Sequence, residues 1–343
     1  MNPLVSILIP AYNAERWIAD TIHSALGQTW KRTEIIVVDD GSKDQTLSVL
    51  RQFDARGVTV VSQHNQGAAA ARNTAFYLCQ GDYIQWLDAD DILAPDKISK
   101  QIQALSAGGR KRTLLSSAWG EFFYCLDRAR FAPTPLWCDL FPVEWLLRKL
   151  QHGHYMTNTA WLVSRELTEA AGPWNTELLV DDDGEYFCRV VAASARVRFI
   201  PEAQAFYRTS GFNRLSYIGR SEGKMVAQLL SVRLCIDHVL SLENSERTRL
   251  ASLRFLQRYL DNFYPLKREI MEEVERLATT IGGKLEVPRL PTKYAWIKRL
   301  LGWHALKEIR LHYNIAKLSA AKIADRVLFE WERTRVPLAH PEQ

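Results

Sequence analysis

The stretch Asp82-Tyr-Ile-Gln-Trp-Leu-Asp-Ala-Asp-Asp-Ile-Leu-Ala-Pro-Asp96 decides how the chain is read. Tyr83, Ile84, Trp86 and Leu87, interrupted only by Gln85, have the length and apolar character of a buried strand. Asp88, Asp90 and Asp91 follow together where that strand should end. Three like charges within four residues repel one another and resist desolvation unless something positive sits among them. A hard divalent cation fits, because it prefers oxygen ligands and leaves positions open to phosphate oxygens. Standing alone, the same cluster reads more readily as a solvated acidic turn.

Outward from this stretch, strands and helices alternate over the first hundred residues. The pattern predicts strands at 5–9, 35–38, 58–61 and 83–87, and helices through 17–26, 67–79 and 95–105. A further helical stripe at Leu47, Leu50 and Phe53 follows Ser42 and Gln45, which match a capping box. Such alternation predicts an α/β fold with a mostly parallel sheet covered on both faces. Ligands of such sheets bind at the carboxyl ends of the strands. Three polar strand ends converge there: Pro10-Ala11-Tyr12-Asn13, Asp39-Asp40-Gly41-Ser42 and the Asp88–Asp91 cluster. From 110 to 210 the pattern is mixed, with strands expected at 160–163 and 197–200 and a helix at 182–193. Helices are expected at 225–242, 250–260 and 270–281, then a Gly/Pro linker and a basic, Trp-containing segment at 293–310.

Composition narrows the class. The chain has 343 residues, 47% hydrophobic and 24% charged, enough for one large domain plus an appendage. A net charge of +5 does not by itself indicate nucleic acid. Five scattered cysteines without a C-x-x-C pair read as buried thiols in a reducing compartment. No signal-peptide pattern and no 20-residue apolar run are evident, so the expected location is cytoplasmic, with peripheral attachment to the inner face of the membrane open. Dinucleotide and P-loop fingerprints, a G-x-S-x-G elbow and zinc-type Cys/His spacing are all missing.

Five segments in order resemble the inverting family-2 glycosyltransferases of the GT-A fold. They are Val5-Ser-Ile-Leu-Ile-Pro-Ala-Tyr-Asn13, Ser24-Ala-Leu-Gly-Gln-Thr29 and Glu34-Ile-Ile-Val-Val-Asp-Asp-Gly-Ser42, then Asn65-Gln-Gly-Ala-Ala-Ala-Ala-Arg-Asn73 and Trp86-Leu-Asp-Ala-Asp-Asp-Ile-Leu-Ala-Pro-Asp-Lys97. A weaker continuation runs through Thr157-Asn-Thr159, Gly172-Pro-Trp-Asn175 and the acids before Arg189. The resemblance implies that Pro10, Tyr12, Asp39 and Asp88 hold the nucleotide, Asp39 accepting from the base. It also implies that Asp88 and Asp90, as a D-x-D, coordinate Mn2+ or Mg2+ on the donor diphosphate. The family's general base, counted back from Arg189, is Asp183, with adjacent Asp182 left as the alternative. Placement of these acids at a probable helix N-terminus, where negative charge is favoured, agrees with that role.

Departures from the family pattern refine the expectation. Gln257-Arg258-Tyr259 is a poor substitute for the Q-x-x-R-W of processive synthases, so transfer of one sugar is expected. The segment 206–216 lacks the His that many relatives carry, leaving Arg208 or Arg214 for any phosphate contact there. His152 and His154 fall where relatives shape the acceptor side. Together these readings predict a GT-A catalytic domain over 1–215 and a helical C-terminal region over 216–343 that docks on membrane or partner. The expected function is metal-dependent transfer of a sugar from a nucleotide sugar, UDP-linked, to a glycan or lipid-linked acceptor in cell-envelope polysaccharide biosynthesis. The rivals are a nucleotidyltransferase making nucleotide sugars and a non-catalytic scaffold.

Overall fold

The computed structural model describes residues 2–106, 112–209, 218, 221–264, 267–288, 309 and 312–331. The first hundred residues build β1 (Val5–Ala11), α1 (Ile18–Leu26), β2 (Thr33–Asp39), α2 (Thr46–Arg51), β3 (Val58–Ser62), α3 (Ala68–Leu78), β4 (Tyr83–Trp86), β5 (Ile92–Leu93) and α4 (Lys97–Ser106). Each of the four strands expected here is present within about two residues of its predicted bounds. Their apolar runs are continuous because both faces are covered, as in β1, where six of seven residues are buried. The capping box does not form. The hydroxyl of Ser42 accepts instead from the backbone N of Asn13 at 2.9 Å, and the helix begins at Thr46.

The middle of the chain adds β6 (Thr113–Phe122), β7 (Arg130–Phe131), α5 (Pro142–His152), β8 (Val163–Ser164), α6 (Arg165–Ala171), α7 (Asp182–Ala193) and β9 (Arg196–Arg208). Five strands form one sheet in the order β3-β2-β1-β4-β8, parallel except for β8. A second sheet, β5-β9-β6-β7, has no counterpart in the sequence reading beyond the 197–200 segment. Its long pair β6 and β9 runs parallel with an irregularity between Ser117 and Ala118. The strand expected at 160–163 is a 3-10 turn at Asn158–Ala160 followed by the two residues of β8.

Three more helices follow, α8 (Glu222–Leu242), α9 (Glu246–Phe263) and α10 (Arg268–Ile281), and a helix α11 spans 312–331. The segment 293–310 lies outside the described residues apart from Ile309. Helix α8 is long and apolar enough to cross a membrane, with a mean hydropathy of 1.4. Its Leu229, Val232, Cys235, Ile236 and Val239 nevertheless lie in one core with Leu8, Trp86 and Val190. Helices α8, α9 and α10 therefore share the sheet's hydrophobic core.

The first sheet depends on close approach at Gly81, just before β4. Gly81 N and Gln80 N both donate to Glu34 Oε1, and Gly81 N also donates to Ser6 Oγ at 2.8 Å. A Cβ at Gly81 would overlap Ser6 Oγ and stand 2.6 Å from the Ser6 backbone N. Replacing Gly81 with Ala is expected to cost about 1–3 kcal/mol through overpacking. Thermal unfolding reads this as a lower melting temperature, and an unchanged one would contradict the packing described.

Candidate active site

The tips of β1 and β2 are laced together by short polar contacts. Asn13, in a left-handed conformation at φ 49°, accepts at its Oδ1 from Lys43 N at 2.8 Å. Ala14 N donates to Thr46 Oγ1 at 2.7 Å. Asp39 ends β2, 2% exposed, and its carboxylate accepts from Ser42 N at 3.4 Å. Neighbouring Asp40 is fully engaged, accepting from Gln66 N, Gly67 N and Gln63 Nε2. It pins the loop before α3, whereas Asp39 keeps most of its accepting capacity. Pro10 is the penultimate residue of β1, and Tyr12 stands exposed just beyond the strand.

The three acids after β4 have separate fates. Asp91 is fully buried and accepts from Thr159 Oγ1 at 2.5 Å and Arg208 N at 2.9 Å. Burial, with the charges of Asp90 and Asp88 beside it, pushes its carboxyl well above the usual range. Asp91 thus ties the turn to β9. The Asp90 carbonyl accepts from Arg208 Nε at 2.8 Å. Arg208 is buried between Trp17 and Phe122, with its guanidinium 4.2 and 4.5 Å from their ring centres and paired to Asp20. This structural employment withdraws it from the phosphate role expected above, and Arg214 lies outside the described residues.

Asp88 faces an arginine that sequence reasoning left without a role. Arg72, on α3, donates through Nη2 to Asp88 Oδ1 at 2.8 Å and through Nη1 to Asp182 Oδ2 at 2.7 Å. Its guanidinium lies 4.4 Å from the ring centre of Trp174. Burial works against its charge, but Asp182 and Asp88 more than offset this and hold the proton more firmly than usual. Asn73 fixes Trp174 by exchanging two hydrogen bonds with its backbone, 2.8 and 2.9 Å. Asn158 Nδ2 donates to both oxygens of Asp88, 3.1 Å to Oδ2. Arg72, Asn73, Asn158 and Trp174 all sit in motifs visible in the sequence, which offered no sign that they converge.

The acidic run before α7 is sorted by one strained residue. Asp181 has φ 58°, and its side chain lies where a Cβ on Gly184 would overlap it. Ser231 Oγ, from α8, donates to Asp181 Oδ2 at 2.6 Å. Beyond this turn, Asp182 is buried against Arg72 and Asp183 faces the cleft. Burial and the charges of Asp182 and Asp181 push the Asp183 carboxyl up to about 7. A carboxyl poised near neutrality at a cleft wall can accept and release a proton.

That cleft has a volume of about 420 Å³ and is bordered by Asp88, Asp183, Glu121, Asn158, Gln228 and Leu318. Asp88 and Asp183, predicted from stretches almost a hundred residues apart, are therefore brought together. Pro10, Tyr12 and Asp39 are not part of its lining; they stand at the ends of the adjacent strands β1 and β2. Gln228 and Leu318 come from α8 and α11, so the helical region helps to wall the site.

Residues 6–170 match the family model described as glycosyl transferase family 2. Over these residues the chain is a member of that family. It is 45% identical over 105 residues to the putative teichuronic acid biosynthesis glycosyltransferase TuaG of Bacillus subtilis, covering 30% of this chain and 42% of TuaG. It is also 45% identical over 100 residues to the UDP-Glc:alpha-D-GlcNAc-diphosphoundecaprenol beta-1,3-glucosyltransferase WfaP of Escherichia coli, covering 29% and 40%. The chain spans about half or less of the length of the first curated relatives it matches. Among solved structures, S. aureus TarS 1-349 in complex with UDP-GlcNAc superposes with a TM-score of 0.65 at 17% identity, covering 81% of this chain and 80% of that one. The family-2 domain accordingly has the GT-A fold.

Replacing Arg72 with Met would leave Asp88 and buried Asp182 without their shared cation, at an expected cost of about 3–5 kcal/mol. Lysine, which keeps the charge but not the two-pronged reach, should recover only part of the loss. Thermal unfolding of both variants checks this, and a Met variant as stable as the parent would contradict it.

Proposed function

We propose that the protein is an inverting glycosyltransferase that moves one sugar from a UDP-sugar to a glycan or lipid-linked acceptor during cell-envelope polysaccharide assembly. The observation that carries the reading is the pairing of Asp183 with Asp88 across one cleft at the carboxyl end of the sheet. Family membership supports it, as do relatives whose names specify teichuronic acid biosynthesis and a UDP-Glc donor. A structural relative holding UDP-GlcNAc supports the choice of UDP.

In this reading Pro10, Tyr12 and Asp39 take the base at the tips of β1 and β2, and Asp88 lies near the diphosphate. Asp183 accepts the proton of an acceptor hydroxyl while that oxygen attacks the anomeric carbon from the face opposite UDP. One displacement then inverts the configuration. Asp183 is preferred to Asp182 in this reading, since Asp182 is paired with Arg72 and buried. Arg72 lies behind Asp88 and is paired with it at 2.8 Å.

The residues present fit a hard divalent cation. Asp88 borders the cleft and is 28% exposed at its side chain; Arg72 bonds only its Oδ1, while Oδ2 accepts one bond, from Asn158, and so retains accepting capacity. Among the described residues no cluster of three or more such side chains is preformed, so in this reading Asp88, with Asp90 two residues on, would supply part of the oxygen set that Mn2+ or Mg2+ accepts and phosphate oxygens the remainder. Bound there, the cation would neutralise charge on the departing diphosphate.

Attachment to an anionic membrane belongs to the same proposal. Helix α11 turns Ile315, Ser319, Lys322, Asp325 and Phe329 inward, with Asp325 Oδ2 accepting from Tyr124 N and Cys125 N at 2.8 and 3.1 Å. Its opposite face exposes Tyr313, Ile323, Val327 and Trp331 together with three alanines. Residues 289–343 hold 11 Lys and Arg against 5 Asp and Glu, while the rest of the chain is close to neutral. An apolar face with basic flanks and aromatic ends suits the headgroup boundary of a bilayer.

Replacing Asp183 with Asn is expected to abolish UDP release from a UDP-sugar in the presence of acceptor while leaving UDP affinity intact. Normal turnover by that variant would overturn the base assignment. Because Asp183 must be ionised to act, kcat/KM should fall as pH drops below about 7, about tenfold per unit. A pH profile flat from 5 to 8 would contradict the role, where that range brackets the value of about 7 given by burial. Replacing Ile323 and Val327 together with Glu should abolish co-sedimentation with anionic liposomes, and retained sedimentation would sink the membrane proposal.

A further inference from the structure

A second cavity, of about 230 Å³, opens between α5, α8 and α9 and shares Tyr155, Asp181 and Gln228 with the catalytic cleft. Its chemistry is unlike that of the cleft. Lys149, on α5, reaches its lining while only 7% exposed, and its ammonium makes no hydrogen bond or ion pair among the described residues. Arg258, on α9, donates through Nη2 to Gln151 O at 2.8 Å, which accounts for one prong of the guanidinium. The other prong, Nη1, is buried without an acceptor, and so is the carbonyl oxygen Oε1 of Gln228 without a donor. Nη1 lies where any side chain at residue 153 would overlap it, so Gly153 makes room for the guanidinium. His154 stands in the same lining.

Buried cationic groups with unused donors are costly unless an anion completes them. Burial works against the charge of Lys149, but Cys188, Cys235, Asp181 and Asp183 around it hold its proton more firmly than usual, whereas Arg258 Nη1 has no acceptor among the described residues. Asp181 borders the cavity, but its carboxylate is hydrogen-bonded by Ser231 and lies beyond ion-pair distance of Lys149. Asp261, also on α9, is outside the lining and accepts from Gln257 at 2.9 Å. Two cations and one carboxylate line the cavity, and Arg258 Nη1 and Gln228 Oε1 are buried polar atoms in it left without a partner among the described residues. Its volume is that of several waters, at about 30 Å³ each, enough for a phosphate or carboxylate group but not for a second nucleotide.

We propose that this cavity is an oxyanion subsite for the acceptor, in which Lys149 and Arg258 hold a phosphate or carboxylate carried close to the hydroxyl that receives the sugar. The inference rests on the glycosyltransferase reading and adds to it the chemical class of the acceptor, an anionic saccharide. Lys149 acts as a point charge and Arg258 Nη1 as a directed donor, while Gln228 Oε1 is placed to accept from an acceptor hydroxyl at the junction of the two cavities. Continuity through Asp181 puts the anion beside the acids of α7, so the acceptor would enter with its charge on the α9 side and its hydroxyl at Asp183.

The test uses the full chain saturated with UDP in EDTA and phosphate-free buffer, so that neither the donor site nor a cation can bind the probes. Glucose 1-phosphate, glucuronate and glucose are titrated in turn by calorimetry. At least one anionic probe should bind about tenfold or more tightly than glucose, as one charge-assisted contact implies. The order of the two anions distinguishes a phosphate from a carboxylate source. Lys149→Gln and Arg258→Gln should each weaken the preferred anion by about tenfold, with UDP affinity within about twofold of the parent serving as the control for folding. Equal or undetectable binding of all three probes to the parent would overturn the subsite, as would variants that bind the anion undiminished. Failure of UDP itself to bind would instead bring down the donor reading on which the inference rests.

Discussion

Arg72 is the cation on which the arrangement of the site depends. Asp88, Asp91, Asp181, Asp182 and Asp183 come from two distant stretches of chain and crowd into one region with little access to water. Such a gathering of carboxylates would drive itself apart or protonate without a compensating charge. One planar guanidinium reaches Asp88 on one side and Asp182 on the other, spanning 110 residues of sequence to the latter. It is held in turn by Trp174, whose ring stacks on Tyr186 with centroids 3.9 Å apart. Helix α3, the end of β4, the loop at 172–175 and the start of α7 therefore meet at a single side chain. Because Arg72 engages Asp182, the next acid is left to the cleft with a carboxyl near neutrality.

The parts of the fold that were legible in the sequence are those whose burial is simplest. Strands β1 to β4 are covered on both faces by helices or by the second sheet, so Val5–Ala11 and Thr33–Asp39 read as unbroken apolar runs. Helix α7 was predicted with its observed bounds, because Tyr186, Phe187, Val190 and Val191 recur on one face above an acidic start. Strand β6 escaped notice because Ser116 and Ser117 interrupt its middle. Those serines are buried where their hydroxyls find the carbonyls of Arg198 and Ala160, a pairing visible only in three dimensions. The failed capping box at Ser42 has the same origin: Asn13, 29 residues earlier, takes the hydroxyl.

The candidate site was legible in its acids and illegible in what organises them. Clustered carboxylates advertise themselves in a sequence, and of the acids that the motifs point to, Asp88 and Asp183 border one cleft while Asp39 ends β2. Arg72 sits in an alanine-rich helix with no acid within a turn of it, so local patterning gives its charge no purpose. The same holds for the helical region. Its periodicity predicted helices, but not that Ser231 would hold the strained Asp181 or that Gln228 and Leu318 would wall the cleft. Lys149 and Arg258 likewise lie 109 residues apart and meet only through the packing of α5 on α9.

The central claim is that the strand tips around Asp39 and Asp88 form a nucleoside diphosphate site completed by a divalent cation. Calorimetric titration of the purified chain with UDP, with and without Mn2+, tests this most directly. The account predicts binding of one UDP per chain that tightens when Mn2+ is present and weakens when Asp88 is replaced by Ala. Absence of UDP binding under both conditions would contradict it.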